Sequence, residues 1–496
     1  MGIVIKQSFW GTIVTYLGAV LGYVSSLVVF PLFLDVNQIG LIRLIQSNGS
    51  ILIPLVTLGL PSAWLQQYPL FKHDLKETGR LLAFQLLLVF GFNAFIFLML
   101  QVFHAEVSSF FAEKSSAYIQ YIGISLVILT SQSLFSIFTS YYRSNYNIVI
   151  PGYFQEVQLR LVNILSIGLF GFGIIDFHVA ANLVGINYAS AMILSVLVMV
   201  LKYKIRLRLD LYKMDRDNIK NMLRSGGYFS ILSISGNITM NLTFLVISRH
   251  LGLEANGILS TCLYIATVIE MPFRAAIQIA SPFISEFFFR KDIVGLRKFY
   301  TQACINLLAI ALLLFIGIIT NLEDLFSVIP KGDVFQKGTL VVIIVGFSKV
   351  VAVGFGVTGE ILAYSPFKRL NVKIATILTI LTIALVFYLV PQFGMLGAAF
   401  SLALLTTSSA MVRFIFLYTK LDLNPLNNNH LKLLGLSALV FLLSWYTPIS
   451  ENAWLNLVIR SGTTLFLFVF LMVILKVSEE LNFFLKSLWV KTFGSN

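Results

Sequence analysis

Charge is scarce in this chain: Asp, Glu, Lys and Arg make up 11% of its 496 residues. The residues of metal centres and disulfide frameworks are scarcer still, with two cysteines and five histidines in all. Cys262 and Cys304 fall in or beside apolar runs, so they are expected as small core residues and not as a bridge. Long polar segments are also missing. The stretches near 104–117 and 321–337 hold a handful of carboxylates and no His/Cys cluster, which disfavours a membrane glycosyltransferase or polymerase, because either needs a folded loop to hold a sugar and an acid–base group. The chain is not expected to be an enzyme, nor to carry a metal or cofactor. One glycine run, Gly354-Phe355-Gly356-Val357-Thr358-Gly359, matches a dinucleotide fingerprint on paper, yet it lies in an apolar run with no preceding strand and reads as close helix packing.

What is abundant is hydrocarbon. Apolar residues make up 58% and the mean hydropathy is +0.88, far outside the range of soluble domains. Fourteen stretches are long enough to cross a bilayer: 9–33, 44–66, 81–103, 118–140, 153–173, 179–201, 226–248, 258–281, 299–320, 338–359, 374–390, 395–417, 431–449 and 454–475, taken below as spans 1 to 14. A hydrocarbon core of roughly 30 Å needs about 17–25 helical residues to cross it. Lipid offers no partner to a free amide, so the spans are helical, and a barrel would show short alternating segments instead. The expected fold is an all-α polytopic membrane protein of fourteen transmembrane helices.

The net charge of +13 would suggest nucleic acid in a soluble protein, but its distribution is topological. With a cytoplasmic N-terminus, cytoplasmic segments hold 25 Lys and Arg (Lys432, at the edge of span 13, counted with its loop), the opposite side holds 5, and 5 lie inside spans. That asymmetry is the positive-inside pattern, which places both termini in the cytoplasm and leaves no role for nucleic acid.

The chain also repeats itself. Leu34-Asp35-Val36-Asn37-Gln38-Ile39-Gly40 is echoed 217 residues later by Leu251-Gly252-Leu253-Glu254-Ala255-Asn256-Gly257, and Phe71-Lys72-His73-Asp74 by Phe289-Arg290-Lys291-Asp292 at an offset of 218. Two matches at nearly one offset predict a duplicated six-helix unit. Because six is even, both copies enter from the cytoplasm as parallel repeats, with the substrate path of a transporter between them. The expected organisation is a first lobe over 1–201, a basic linker over 202–224, a second lobe over 225–418, and two extra helices with a tail over 419–496. The linker's alternating stretch, Ile205 to Leu211, and the tail after Val477 are expected to lie along the headgroups.

An ionisable residue at mid-membrane costs about 2.5–3.5 kcal/mol on insertion scales, so those inside spans are the candidates for function. Glu156 and Arg160 in span 5, and Glu270 and Arg274 in span 8, are both Glu followed by Arg one turn on, hence on one helix face. Arginine forks onto phosphate, so Arg160 and Arg274 are candidate ligands for an anionic headgroup. The bland alternative is two self-neutralised pairs that fix helix packing. Lys349 in span 10 has no acidic neighbour one turn away and must look to another helix, to water, or to Glu360 at its own helix end. Arg413 and Arg460, nearer their span ends, can snorkel to the interface and are expected to be structural. Pro54 and Pro61 in span 2, and Pro272 beside Glu270, are candidate bends.

With this layout, and with Leu251 to Gly257 and Pro391-Gln392-Phe393-Gly394-Met395-Leu396-Gly397-Ala398-Ala399, the chain resembles the multidrug/oligosaccharidyl-lipid/polysaccharide exporter superfamily. Within it, the chain resembles the bacterial oligosaccharide flippases of O-antigen and capsule pathways. The resemblance implies a monomer in the bacterial inner membrane that moves a polyprenyl-diphosphate-linked oligosaccharide between leaflets by alternating access. Its expected partners are that lipid, the membrane lipids and other proteins of polysaccharide assembly. Arg160, Arg274, Lys349 and Glu156 would then line the cavity and Glu270 would be the coupling-ion site. A multidrug and toxin extruder would carry acidic residues in its first lobe, and spans 1 to 4 have none. A peptidoglycan-precursor flippase would be expected to show several arginines near spans 1 and 2, where only Arg43 is close and is expected outside the membrane.

Overall fold

The computed structural model describes residues 2–72, 74–203, 207–210, 212, 214–447, 450–478 and 480. The chain is 88% helical, with no strand among the described residues. Helical segments overlap each of the fourteen apolar stretches, and eleven helices are long and apolar enough to cross a membrane by length and composition. The lower number has local causes. Spans 5 and 13 are not among the eleven, span 5 holding a π-helical turn at Tyr153–Gln158, and spans 11 and 12 run together as Lys368–Leu421, with a kink at Gly394 (φ 60°, ψ −136°). That conformation is open to glycine alone.

The repeated phrases are helix punctuation. Asp35 caps the helix Val36–Ile51: its carboxylate accepts the Gln38 amide at 2.8 Å, and Gln38 Oε1 accepts the Asp35 amide at 2.9 Å, a closed capping box. In the second copy Gly252 stands where Asp35 does and turns the chain by backbone freedom, at φ 90°. Asp74 caps Leu75–Val102 and Asp292 caps Ile293–Thr320, each through its carboxylate on first-turn amides. His73, between the copies' matched residues, lies outside the described residues.

The prolines of span 2 sit at helix starts, not inside one. Pro54 opens Ile53–Thr57 and Pro61 opens Leu60–Phe71, positions where a missing N–H costs nothing. Between them Leu58 and Gly59 both take positive φ, 50° and 65°, and break the helix. The Pro54 carbonyl accepts a hydrogen bond from Ser230 Oγ at 3.1 Å. The glycine run of span 10 is likewise partly a break: the helix stops at Gly354, and Gly356 at φ 62° lets the chain pass Cys304 Sγ, 2.6 Å from where a Cβ would be. The Phe355 carbonyl freed there accepts Tyr300 O–H at 3.1 Å.

The chain folds as two compact units, one made of the described residues up to Thr261 with Thr379–Ala398, the other of Cys262–Leu378 with the described residues from Ala399 onward. Unit 1 has its core around Trp64, Leu82, Leu129, Ile137 and Tyr142. Met214 and Met222 join that core and carry the described part of the linker onto the unit. Arg80 Nη2 donates to Asp210 Oδ2 at 3.0 Å, a bond that holds the Asp210 carboxyl below its usual pKa. Glu77 Oε1 accepts the Asp215 amide at 3.3 Å. The described linker residues are thus pinned to the first turns of Leu75–Val102; part of the Ile205–Leu211 stretch, and nearly all of the tail after Val477, lie outside the described residues. Unit 2 has two cores, one about Leu308, Ala311, Val350 and Phe468, the other about Tyr300, Cys304, Ile361 and Leu417. Both cysteines are free and buried, as small core residues.

Candidate functional site

In unit 2, span 8 is broken at the residues that carry its charge. The helix Leu253–Thr267 gives way to a tight 3-10 turn, Val268–Glu270, and Met271–Arg290 begins beyond it with Pro272 in its first turn. Proline has the right φ and no N–H to lose there, so the break is written into the sequence. Glu270 therefore stands at a junction between two helices. Its Oε2 lies 2.5 Å from Lys349 Nζ and its Oε1 lies 3.4 Å from Arg274 Nε. Lys349 and Glu270 are four-fifths buried, whereas the Arg274 side chain is 67% exposed.

Three of the residues singled out by sequence, Glu270, Arg274 and Lys349, thus form one cluster with one more positive charge than negative. Two of its members were legible as a pair from their spacing; the third was not. Lys349 reaches Glu270 from another helix, 79 residues along, and Glu360, expected at the end of the same helix, lies beyond the break in the separate helix Thr358–Tyr364, where it is coupled electrostatically to Arg413 instead. Arg413 also donates through Nε to Asn371 Oδ1 at 3.0 Å.

Glu156 and Arg160 belong to unit 1. Their Nη1 to Oε2 distance is 2.8 Å, and each is about one-third exposed. The pair sits where the π-helical turn Tyr153–Gln158 returns to α-helix at Leu159, and such turns recur at functional positions. It lies on a glycine face of the first helix: a Cβ at Gly18 would meet Arg160 Nη1 at 2.8 Å and one at Gly22 would meet Nε at 3.0 Å. Glycines four apart let a second helix close in, and here they make room for a guanidinium.

Arg43 stands on a helix that begins well before its apolar run. It lies two turns inside the helix Val36–Ile51, partly buried, and donates to Ser26 Oγ at 2.9 Å and Gln46 Oε1 at 3.1 Å. Ser26 continues the helix face of Gly18 and Gly22, so span 1, which has no charge of its own, carries an arginine from each of two neighbours. The capping box sets that start: Asp35 opens the helix nine residues before the apolar run begins. Arg460 has a structural role, held inside the protein. It does not snorkel; it is 8% exposed and gives Nη1 to the Thr320 carbonyl at 3.0 Å and to Asp324 Oδ2 at 3.3 Å. Asn456 Nδ2 donates to the other Asp324 oxygen at 2.9 Å, so the helix Ala453–Ile474 is bolted to the end of Ile293–Thr320 and to Leu322–Val328.

No group of three or more His, Cys, Asp or Glu placed to hold a metal ion occurs among the described residues. What the cluster in unit 2 can do is hold an anion, since it is a net cation in a helix otherwise made for hydrocarbon.

No protein-family model and no curated protein matches this chain. Solved structures do. The chain is similar to the lipid II flippase MurJ in an inward closed conformation, at 14% identity over 94% of this chain and 98% of that one, with a TM-score of 0.75. It is similar to a multidrug resistance MATE family transporter of the MOP superfamily in an inward-facing conformation, at 14% identity, 85% and 98% coverage and a TM-score of 0.59. A third likeness is to a MOP superfamily transporter from Pyrococcus furiosus with a binding pocket of reversed polarity, at 15% identity, 85% and 95% coverage and a TM-score of 0.52. These structural neighbours are members of one transporter superfamily and not enzymes. At such identities the likeness is one of fold.

Proposed function

We propose that this chain is a flippase that carries a polyprenyl-diphosphate-linked oligosaccharide from the cytoplasmic to the periplasmic leaflet of a bacterial inner membrane, by alternating access, for surface polysaccharide assembly. The observation that carries this reading is the cluster of Glu270, Lys349 and Arg274 at a broken membrane helix. Its surplus positive charge is costly in hydrocarbon, at about 2.5–3.5 kcal/mol per charged side chain on insertion scales, and a diphosphate in transit is an anion that offsets it. The headgroup passes through a wet path while the prenyl tail stays in lipid.

The reading assigns the lobes to 1–201 and 225–418, the linker to 202–224, and the two extra helices to 419–496, with fourteen spans and both termini in the cytoplasm. It makes Arg160, Glu156, Arg274 and Lys349 the cavity residues and Glu270 the coupling-ion site. The protein acts as a monomer, with the lipid-linked sugar, membrane lipids and other assembly proteins as partners. A peptidoglycan-precursor flippase is the second reading, and the position of Arg43 against the first helix favours it. An extruder of cations is disfavoured by the cationic surplus of the cluster.

Deleting the gene and extracting polyprenyl-diphosphate-linked intermediates tests the reading. Accumulated repeat units on the cytoplasmic leaflet are expected. Accumulated peptidoglycan precursor would select the second reading, and unchanged lipid pools with lost drug resistance would overturn both.

A further inference from the structure

In the cluster of unit 2, one carboxylate serves two cations. Lys349 holds Glu270 Oε2 by a short contact, while Arg274 touches Oε1 only through Nε, at 3.4 Å. The two terminal nitrogens of Arg274, the fork that grips phosphate, therefore have no protein partner among the described residues, and that side chain is the exposed member of the three. Glu270 itself ends the tight turn Val268–Glu270 rather than lying in the middle of a helix, so a small backbone rotation there moves its carboxylate. We infer that Glu270 is the resident counter-anion of a polyphosphate site, occupying Lys349 until a diphosphate docks on the Arg274 fork and displaces it.

The physical case is one of charge and reach. A diphosphate diester carries two negative charges against one on the carboxylate, so it attracts both cations more strongly and repels Glu270. Lysine is a compact charge on a flexible stem with three donors, able to change partner without moving its helix; the planar guanidinium stays and orients. Without the carboxylate, the empty site would leave two like charges close together in low dielectric. With it, the empty site is tolerated and the cargo binds by exchange, which keeps affinity moderate and permits release. The inference rests on the flippase reading only for the identity of the anion.

The test is titration of inorganic pyrophosphate into the full-length protein in phosphatidylcholine nanodiscs, followed by calorimetry. Removing the competitor with Glu270→Gln is expected to tighten binding about tenfold, that is by about 1.4 kcal/mol. Arg274→Gln and Lys349→Gln are each expected to weaken it by about the same factor or more. A Glu270→Gln protein that binds pyrophosphate no better than the wild type overturns the proposal. Should that variant aggregate, Glu270→Asp serves, since a carboxylate one methylene shorter competes less; binding no tighter than wild type overturns the proposal equally. Repetition in phosphatidylglycerol nanodiscs separates cargo from bulk lipid: unchanged pyrophosphate affinity is expected, and its loss would hand the site to ordinary headgroups and overturn the assignment. Lipid accumulation in the deletion strain and pyrophosphate exchange in nanodiscs are independent, so either can fail while the other stands.

Discussion

Gly40 and Gly257 meet backbone to backbone, each against the partner of the other. A Cβ on Gly40 would lie 1.9 Å from the Leu253 carbonyl oxygen, and one on Gly257 would lie 2.2 Å from the Val36 carbonyl oxygen. The spacing of Gly40 from Gly257 equals that of Val36 from Leu253, so the contact is reciprocal, as an axis relating two copies of one unit would make it. Asn256 Nδ2 adds a hydrogen bond to the Gly40 carbonyl at 3.1 Å.

Any side chain at either glycine must push the two helix starts apart. Gly40→Val and Gly257→Val are each expected to cost about 1–3 kcal/mol or more, the price of overpacking a close contact. Gly91→Ala is the control: nothing lies within 4 Å of its Cβ position, and mid-helix alanine is expected to raise stability slightly. Thermal unfolding of the purified protein in detergent gives the comparison. Equal behaviour of all three variants would contradict the contact.

Arg460 and Asp324 form a largely buried pair, 10% and 14% exposed as side chains. Breaking it with Arg460→Met leaves a carboxylate without its cation and is expected to cost about 3–5 kcal/mol, whereas Arg460→Met with Asp324→Leu should recover much of the loss. A double-mutant cycle on melting temperature checks this. Additive losses would mean that the two side chains do not interact.

The break in span 2 makes a prediction at each of two adjacent residues. Gly59→Ala forces alanine to φ 65° and sets a Cβ 2.2 Å from the Gly226 carbonyl oxygen, so it destabilises. Leu58→Gly relieves a leucine held at φ 50°, by about 1 kcal/mol, but strips a side chain packed against the core of unit 1, worth about 1.5–3 kcal/mol, so on balance it too destabilises. Unfolding of the two variants in parallel reads the sign of each, and a stabilised Gly59→Ala would show that the helix does not break here.

His430 provides a pH dependence. Its Nδ1 accepts the Asn427 amide in the capping box of Asn428–Trp445, and burial holds the imidazole pKa below its ordinary value of 6.5. The unfolded chain then protonates first as pH falls. The stabilisation is complete above about 6.5 and is lost as pH drops from there through the lowered native value. His430→Gln keeps the capping geometry and removes the titration. Melting temperature should fall more steeply with acid in the wild type than in the variant, and parallel curves would exclude His430 as the cause.

The positions of helices could be read from composition and spacing because lipid leaves the backbone no other solution. The Asp74 and Asp292 caps, and the break before Pro272, could also be read locally, since each depends on residues within one turn. Where the sequence misled, the deciding contact was remote. Arg460 was assigned by distance from a span end, when Asp324 waited on another helix.

Sequence alone determined that this is a helical membrane protein with a basic net charge and ionisable residues confined to a few places in its apolar runs, because hydrophobicity and charge act through composition and short spacing. Which carboxylate neutralises Lys349 was decided only in three dimensions. Glu270 and Lys349 are brought together by the packing of helices distant in sequence, and no periodicity along a single helix encodes the partner of a charge that finds it on another.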